Sequence, residues 1–122
     1  MSKDNLYFGR AGEDRAADFL ASRGYKILQR NYKTKLGEID IIARDRQTIC
    51  FVEVKSRTTE RFGLPQEAIS KSKQRQIAKV ALMFLKENNL WNSFARFDVV
   101  AVLCSEGKPR LELIKNAFDL TQ

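Results

Sequence analysis

Histidine is absent from all 122 residues, and that absence removes most familiar hydrolytic machinery. Neither a Ser-His-Asp nor a Cys-His arrangement can be assembled, and the commonest general acid and base is missing. Cysteine occurs twice, at Cys50 and Cys104, in separate apolar runs without Cys-x-x-Cys spacing. Two such thiols make a poor zinc site and a poor disulfide framework, so both are expected in the core. Long apolar runs are also lacking. Nothing approaches the roughly 18 residues of a membrane span, and the opening Met1-Ser2-Lys3-Asp4-Asn5 is polar rather than signal-like. A cytoplasmic protein without membrane contact is expected. Repeats and low-complexity tracts are missing, and 43% hydrophobic content over this length suits one domain, residues 1–122, with one core.

Basic residues outnumber acids by 22 to 15, for a net charge of +7 and a pI near 9.6. The excess is clustered. Residues 23–35 carry Arg23, Lys26, Arg30, Lys33 and Lys35 with no acid; residues 55–79 carry seven bases against Glu60 and Glu67. Scattered surface charge usually serves solubility alone. Clustering on either side of an acidic segment points instead to a polyanion, bound through phosphate contacts and counterion release.

Periodicity places the elements. Residues 1–8 read as a loose arm, and Ala11, Ala16, Ala17, Phe19 and Leu20 have helical spacing that Gly24 would stop. Residues 25–32 alternate as a strand. Two Ile/Val-rich runs around Arg44-Asp45-Arg46-Gln47-Thr48 read as a β-hairpin, and 56–65 as a polar loop able to close over a ligand. Ser70 is a plausible N-cap for a helix whose stripe is Ile77, Val80, Ala81, Phe84 and Leu85. Asn88-Asn89 ends it, and Trp91 and Phe94 are expected to pack as plugs. Residues 96–103 form the clearest strand, and Glu106 to Pro109 turn the chain into a last strand, 110–114. The order α-β-β-β-α-β-β makes this an α/β protein, a central mixed β-sheet flanked by helices, with one helix for each face.

The hairpin carries charges where a sheet would not place them. With Arg44 opposite Ile49, alternation sets Ile42 opposite Phe51, Asp40 opposite Glu53 and Glu38 opposite Lys55. On this register Ile39, Ile41, Ala43, Val52 and Val54 share one face. Two carboxylates about 5 Å apart repel by roughly 3 kcal/mol at an effective dielectric near 20. Lys55 could offset one charge and a divalent metal two. Carboxylate oxygens suit Mg²⁺ or Mn²⁺, and without histidine any hydrolysis here must be metal-driven. Spacing alone weighs such a site evenly against a structural Glu–Lys network. Glu13, early in its helix, reads as a dipole complement, and Asp98 as a cap or an ion-pair partner of Arg96.

Gly9-Arg10-Ala11-Gly12-Glu13, Asn31-Tyr32, Gly37 to Ala43, Phe51 to Arg57, Glu67-Ala68, Lys73, Arg96 to Val100 and Asn116-Ala117-Phe118 resemble, in order and over nearly the whole chain, the YraN family. These small proteins are similar to archaeal Holliday-junction resolvases, and their central motif is of the PD-(D/E)XK nuclease type. Here Ile39 stands where the motif has proline. The resemblance implies a restriction-endonuclease-like fold, a catalytic site at Glu13, Asp40, Glu53 and Lys55, and metal ligation by Glu13, Asp40 and Glu53. Gln66 is a companion of that site. The expected function is a Mg²⁺- or Mn²⁺-dependent DNA endonuclease selective for branched or junction DNA. Arg10, Lys33, Lys35, Arg57, Gln66, Lys71 and Lys73 are expected to contact DNA, and a homodimer is expected if both strands of a junction are cut. The alternative is a non-catalytic nucleic-acid-binding module or adaptor on the same fold.

Overall fold

The chain, seen in a computed structural model, is described at residues 3–57, 69–105 and 108–119, with side chains at 11–56, 69–103 and 109–119. The side chains of Arg10, Arg57 and Cys104, the residue Gln66, and most of the expected 56–65 loop and 106–109 turn lie outside these.

Helix α1 (Lys3–Ser22) precedes three antiparallel strands, β1 (Lys26–Thr34), β2 (Gly37–Asp45) and β3 (Thr48–Arg57). Helix α2 (Lys71–Glu87) crosses to β4 (Phe94–Ser105), which lies parallel to β3, and β5 (Lys108–Phe118) returns antiparallel. The result is a five-stranded mixed sheet in chain order, an α/β fold in the expected succession. Residues 3–8 belong to α1 rather than to a loose arm. The last strand begins earlier and runs further than its apolar core, 110–114, predicts.

Both helices end by the same chemistry. At Gly24 (φ 91°) the Gly24 and Tyr25 amides donate to Ala21 and Leu20 carbonyls, each 3.0 Å. At Asn89 (φ 55°) the amides of Asn89 and Leu90 reach Lys86 and Leu85 in the same pattern. These are Schellman closures, which need one left-handed residue, the conformation that Gly and Asn tolerate best. Ser70 caps α2 by accepting the Lys73 amide at 3.1 Å.

Two apolar layers sandwich the sheet. Ala16, Ala17 and Leu20 of α1 pack with Tyr25, Ile41, Ala43, Cys50, Val52, Val100 and Val102. On the other face Ile77, Val80, Ala81, Phe84 and Leu85 of α2, the expected stripe, meet Ile39, Ile42, Ile49, Phe51, Phe97, Val99 and Phe118. Ile39 therefore faces α2 and not the α1 side with Ile41. Alternation fails between them because β1 and β2 both change face at Asn31 (φ 54°) and Asp40. Trp91 and Phe94 are 65% and 73% exposed, so neither plugs the core. Their separation from the 3.6-residue pattern of α2 leaves no buried face for them to fill.

Helix α2 approaches the β1–β2 turn closely. A Cβ on Gly37 (φ 145°) would stand 2.7 Å from Gln76 Cδ. Gly37→Ala is expected to destabilise the fold by about 1–3 kcal/mol, from the backbone conformation and the crowding together. Urea unfolding checks this, and Gln76→Ala in the same chain should restore only the steric part.

Candidate metal and catalytic site

The β2–β3 ladder runs from Asp45↔Thr48 to Ile41↔Val52 and there it ends. Beyond it β3 stays paired to β4 as far as Arg57, whereas β2 continues with β1. The sheet forks, and the expected cross-strand pair Asp40/Glu53 stands in the fork instead of in the ladder. Asp40 Oδ2 accepts the Val54 amide at 2.9 Å, a side-chain oxygen doing what a strand carbonyl would otherwise do. Glu38 lies opposite Lys33 on β1, not opposite Lys55.

Of the acids brought here Glu53 is buried, and Asp40 and Glu13 are half-buried. Glu53 is 5% exposed, and burial first, then the charge of Asp40, pushes its carboxyl far above the usual carboxylate range. Asp40 is raised as well, by burial and by Glu38, against the Val54 hydrogen bond. Lys73 and Lys55 both act to lower the two acids. Glu13 comes from α1 and is raised by burial and by Asp40. Its Oε1 lies 3.5 Å from Arg30 Nη2, while the same guanidinium donates to Asp14 at 2.6 Å. Gly12, the preceding residue, lets α1 lie against Ser56 of β3, where any Cβ would meet the serine hydroxyl. A cleft of about 540 Å³ lined by Glu13, Asp14, Arg30, Asn31 and Lys33 opens beside this acid.

Two oxygens are left over. Glu53 Oε1 is buried with no hydrogen-bond partner among the described residues, and Glu13 Oε1, which also lacks one, keeps the 3.5 Å ion pair to Arg30. An unsatisfied buried acceptor costs about 1–3 kcal/mol, more if charged. Among the described residues no three acidic or thiol groups converge as a ready cage. The pair Asp40 and Glu53 suffices for a small hard cation, which takes one or two carboxylates and fills its remaining positions with water and substrate oxygens. The donor chemistry thus fits a divalent metal, with Glu13 adjacent and turned to Arg30.

Of the residues expected to contact DNA, Lys33 lines the Glu13 cleft, Lys35 is exposed in the β1–β2 turn, and Lys71 and Lys73 begin α2. Lys73 serves two surfaces, since its charge also reaches Asp40 and Glu53. Its place in the sequence, well beyond the end of β3 at Arg57 and on another element, carries no sign of that. Asn31 was likewise legible only as part of a strand. Asp98 is fully buried and committed elsewhere: Arg96 Nε donates to both its oxygens at 3.0 and 3.1 Å, and the Asn116 amide to Oδ1 at 2.9 Å. Cys50 is buried, and burial pushes its thiol up to about 12, so it packs and does not react.

A mixed sheet covered by one helix on each face, with a buried and a half-buried carboxylate and two lysines where its central strands part, defines an α/β protein with an acidic site at a sheet fork. The family model of the "Uncharacterised protein family UPF0102" matches residues 12–102, a span that includes Glu13, Asp40, Glu53, Lys55 and Lys73. Relatives named UPF0102 protein are 50% identical over 122 residues in Trichlorobacter lovleyi (98% of this chain, 96% of the relative) and 52% over 116 in Syntrophus aciditrophicus (95% and 91%). One from Geobacter metallireducens is 48% identical over 120 residues, covering 98% of both chains. The chain belongs to the UPF0102 family. Among the described residues no helix is long and apolar enough to cross a membrane.

The burial of Glu53 has a thermodynamic consequence. A folded-state pKa above the unfolded value of 4.5 means that folding is favoured at low pH and penalised as pH rises through the folded value. In EDTA, Glu53→Gln should therefore be more stable than the wild type at pH 8, by on the order of 2 kcal/mol, with the difference vanishing near pH 4. Urea unfolding at the two pH values measures it; equal stabilities at pH 8 would mean the carboxylate is well solvated.

Proposed function

We propose that this protein is a divalent-cation-dependent DNA endonuclease of PD-(D/E)XK type, acting on branched or junction DNA. The observation that carries the reading is the buried Glu53 with an orphaned oxygen beside the half-buried Asp40, flanked by Lys55 two residues along the same strand. A structural ion-pair network would leave no such oxygen, because each buried acceptor would be placed to receive a donor.

Asp40 and Glu53 would hold Mg²⁺ or Mn²⁺, with Glu13 contributing from α1 directly or through water. When bound, the cation supplies Lewis-acid polarisation of the scissile phosphate and a lowered pKa for water at the site. Asp40 is held in place by the Val54 amide, so it cannot swing away as charge builds. Lys55 orients the attacking water and offsets negative charge developing on the phosphate. Lys73, at the start of α2, steadies the ionised form of both acids and approaches the substrate from the opposite face to α1. Lys33 and Lys35 on β1 and its turn, with Lys71, take flanking phosphates. Cutting both strands of a junction would require two such chains related by a two-fold axis.

Purified protein incubated with linear duplex, single-stranded and four-way-junction DNA should cleave with Mn²⁺ or Mg²⁺ and not with EDTA. Asp40→Asn and Lys55→Ala should each lower the rate by about 100-fold or more. Cleavage that survives both substitutions would assign the activity to a contaminant or another site. Metal-independent binding without cleavage would favour the non-catalytic binding module.

Binding has its own test. Lys33→Glu with Lys35→Glu should weaken duplex binding uniformly across sequences and reduce the salt-dependence slope by about 2, near 0.9 for each phosphate no longer neutralised. An unchanged slope in a fluorescence-anisotropy titration would make these lysines solvated surface only.

A further inference from the structure

The other end of the sheet carries charge of the opposite sign. A cleft of about 630 Å³ opens beside the β2–β3 turn, lined by Arg23, Tyr25, Asp45, Arg46, Leu113 and Lys115. Arg23 lies over the Phe19 ring, 4.4 Å from its centroid, which holds the guanidinium at the rim of the α1 terminus. Arg46 sits at the turn with φ 58°, exposed and without an ion-pair partner among the described residues. Lys115 is 3.8 Å from Asp45, whose carboxylate Arg96 already satisfies at 2.9 Å. Arg96 in turn is fixed by Asp98 and by donating to the Tyr25 hydroxyl at 2.6 Å. Arg96 thus bonds both acids, Lys115 shares Asp45 with it, and Arg23 and Arg46 remain as the excess of positive charge at the cleft.

An exposed aromatic completes the arrangement. Phe94 pairs with Thr48, and Thr48 with Asp45, so Phe94 lies in the row of strand positions that forms this end of the sheet. Strand alternation puts it on the same face as Arg96, two residues on, and it is 73% exposed. Basic grooves that bind single strands combine these parts: cations for the backbone and an aromatic face on which any base can stack.

We infer that the basic cleft at the β2–β3 turn is a second nucleic-acid contact, which takes the phosphates of a single-stranded segment at Arg23, Arg46 and Lys115 and stacks a base on Phe94. It lies about 17 Å from the acidic fork, five strand residues from Asp40 to Asp45, or the rise of about five base pairs. A branched substrate with its duplex arm at the fork would bring an unpaired strand to this end, the arrangement the proposed selectivity requires. The inference rests on the proposed function for the nature of the polymer and is independent of cleavage.

The test is binding in EDTA, read by fluorescence anisotropy with labelled single-stranded, duplex and forked DNA over a salt series. Arg46→Glu with Lys115→Glu should raise Kd for single-stranded and forked DNA at least about tenfold and lower the salt slope by about 1 to 2. Phe94→Ala should raise it about fivefold or more for the same two ligands and leave duplex binding unchanged. Arg23→Gln with Arg46→Gln, which leaves the Asp45 bridges intact, provides a folding-neutral repeat, with unfolding midpoints measured for every variant. Single-strand affinity and salt slope unchanged in the well-folded variants would overturn the inference while leaving the nuclease reading in place. Wild-type protein that binds no nucleic acid would overturn both, and loss of a dimer in sedimentation with DNA binding unchanged would assign this face to a second copy of the chain. Cleavage abolished in Asp40→Asn with all the distal effects retained would support both.

Discussion

The hydrogen bond from the Val54 amide to Asp40 is the constraint on which the architecture of the site turns. It appears where β2 and β3 stop pairing, and it substitutes a side-chain oxygen for the backbone acceptor that an unbroken ladder would supply. Because a buried amide must have a partner, the strands can separate here only if some such group is present. Once they separate, Asp40 and Glu53 are neither opposite each other on a flat sheet nor free in solvent; they stand in a gap reached by Glu13 from one helix and Lys73 from the other. The change of face at Asn31 and Asp40 falls beside the same point, and it carries Ile39 into the α2 layer.

Two buried acidic arrangements in one small sheet show opposite solutions to the same desolvation problem. Asp98 has zero exposure and is met by a guanidinium on both oxygens and by a backbone amide, so its charge is answered within the chain. Glu53 is almost as deeply buried and keeps an oxygen with no donor among the described residues. Folding tolerates the second arrangement only by holding the proton or by admitting something cationic, since burying an unpaired carboxylate is among the largest single penalties available to a domain of this size. Stability and site chemistry therefore oppose each other at Glu53, as they do at many functional positions.

Charge of opposite sign at the two ends of the sheet gives the molecule a direction. The acidic fork lies between α1 and the start of α2, with lysines around it; the basic cleft lies at the α1 terminus and the β2–β3 turn, where Asp45 is bonded to Arg96 and approached by Lys115. Cations stand at both ends; the carboxylate at the basic end, Asp45, is bonded to Arg96, whereas Glu53 at the other keeps an oxygen without a donor among the described residues. The family match over residues 12–102 takes in the acidic fork and the β2–β3 turn and ends before Leu113 and Lys115 of the basic cleft.

Sequence alone determined the elements whose physics is local. The 3.6-residue stripe from Ile77 to Leu85, the Ser70 cap, the Gly24 and Asn89 stops and the Arg44↔Ile49 register all follow from side-chain period, capping and turn chemistry, which depend on near neighbours. The conflict of Asp40 with Glu53 was legible for the same reason, as two like charges brought within reach by strand alternation. Alternation, however, assumes that a ladder continues. Only the tertiary structure decided that it ends at Ile41↔Val52, that Ile39 turns to α2, that Phe94 and Trp91 remain outside, and that Lys73 bears on the acidic pair. Each depends on where a strand leaves its neighbour or where a helix from elsewhere in the chain comes to rest. Long-range packing makes those choices, and no local pattern of residues encodes them separately.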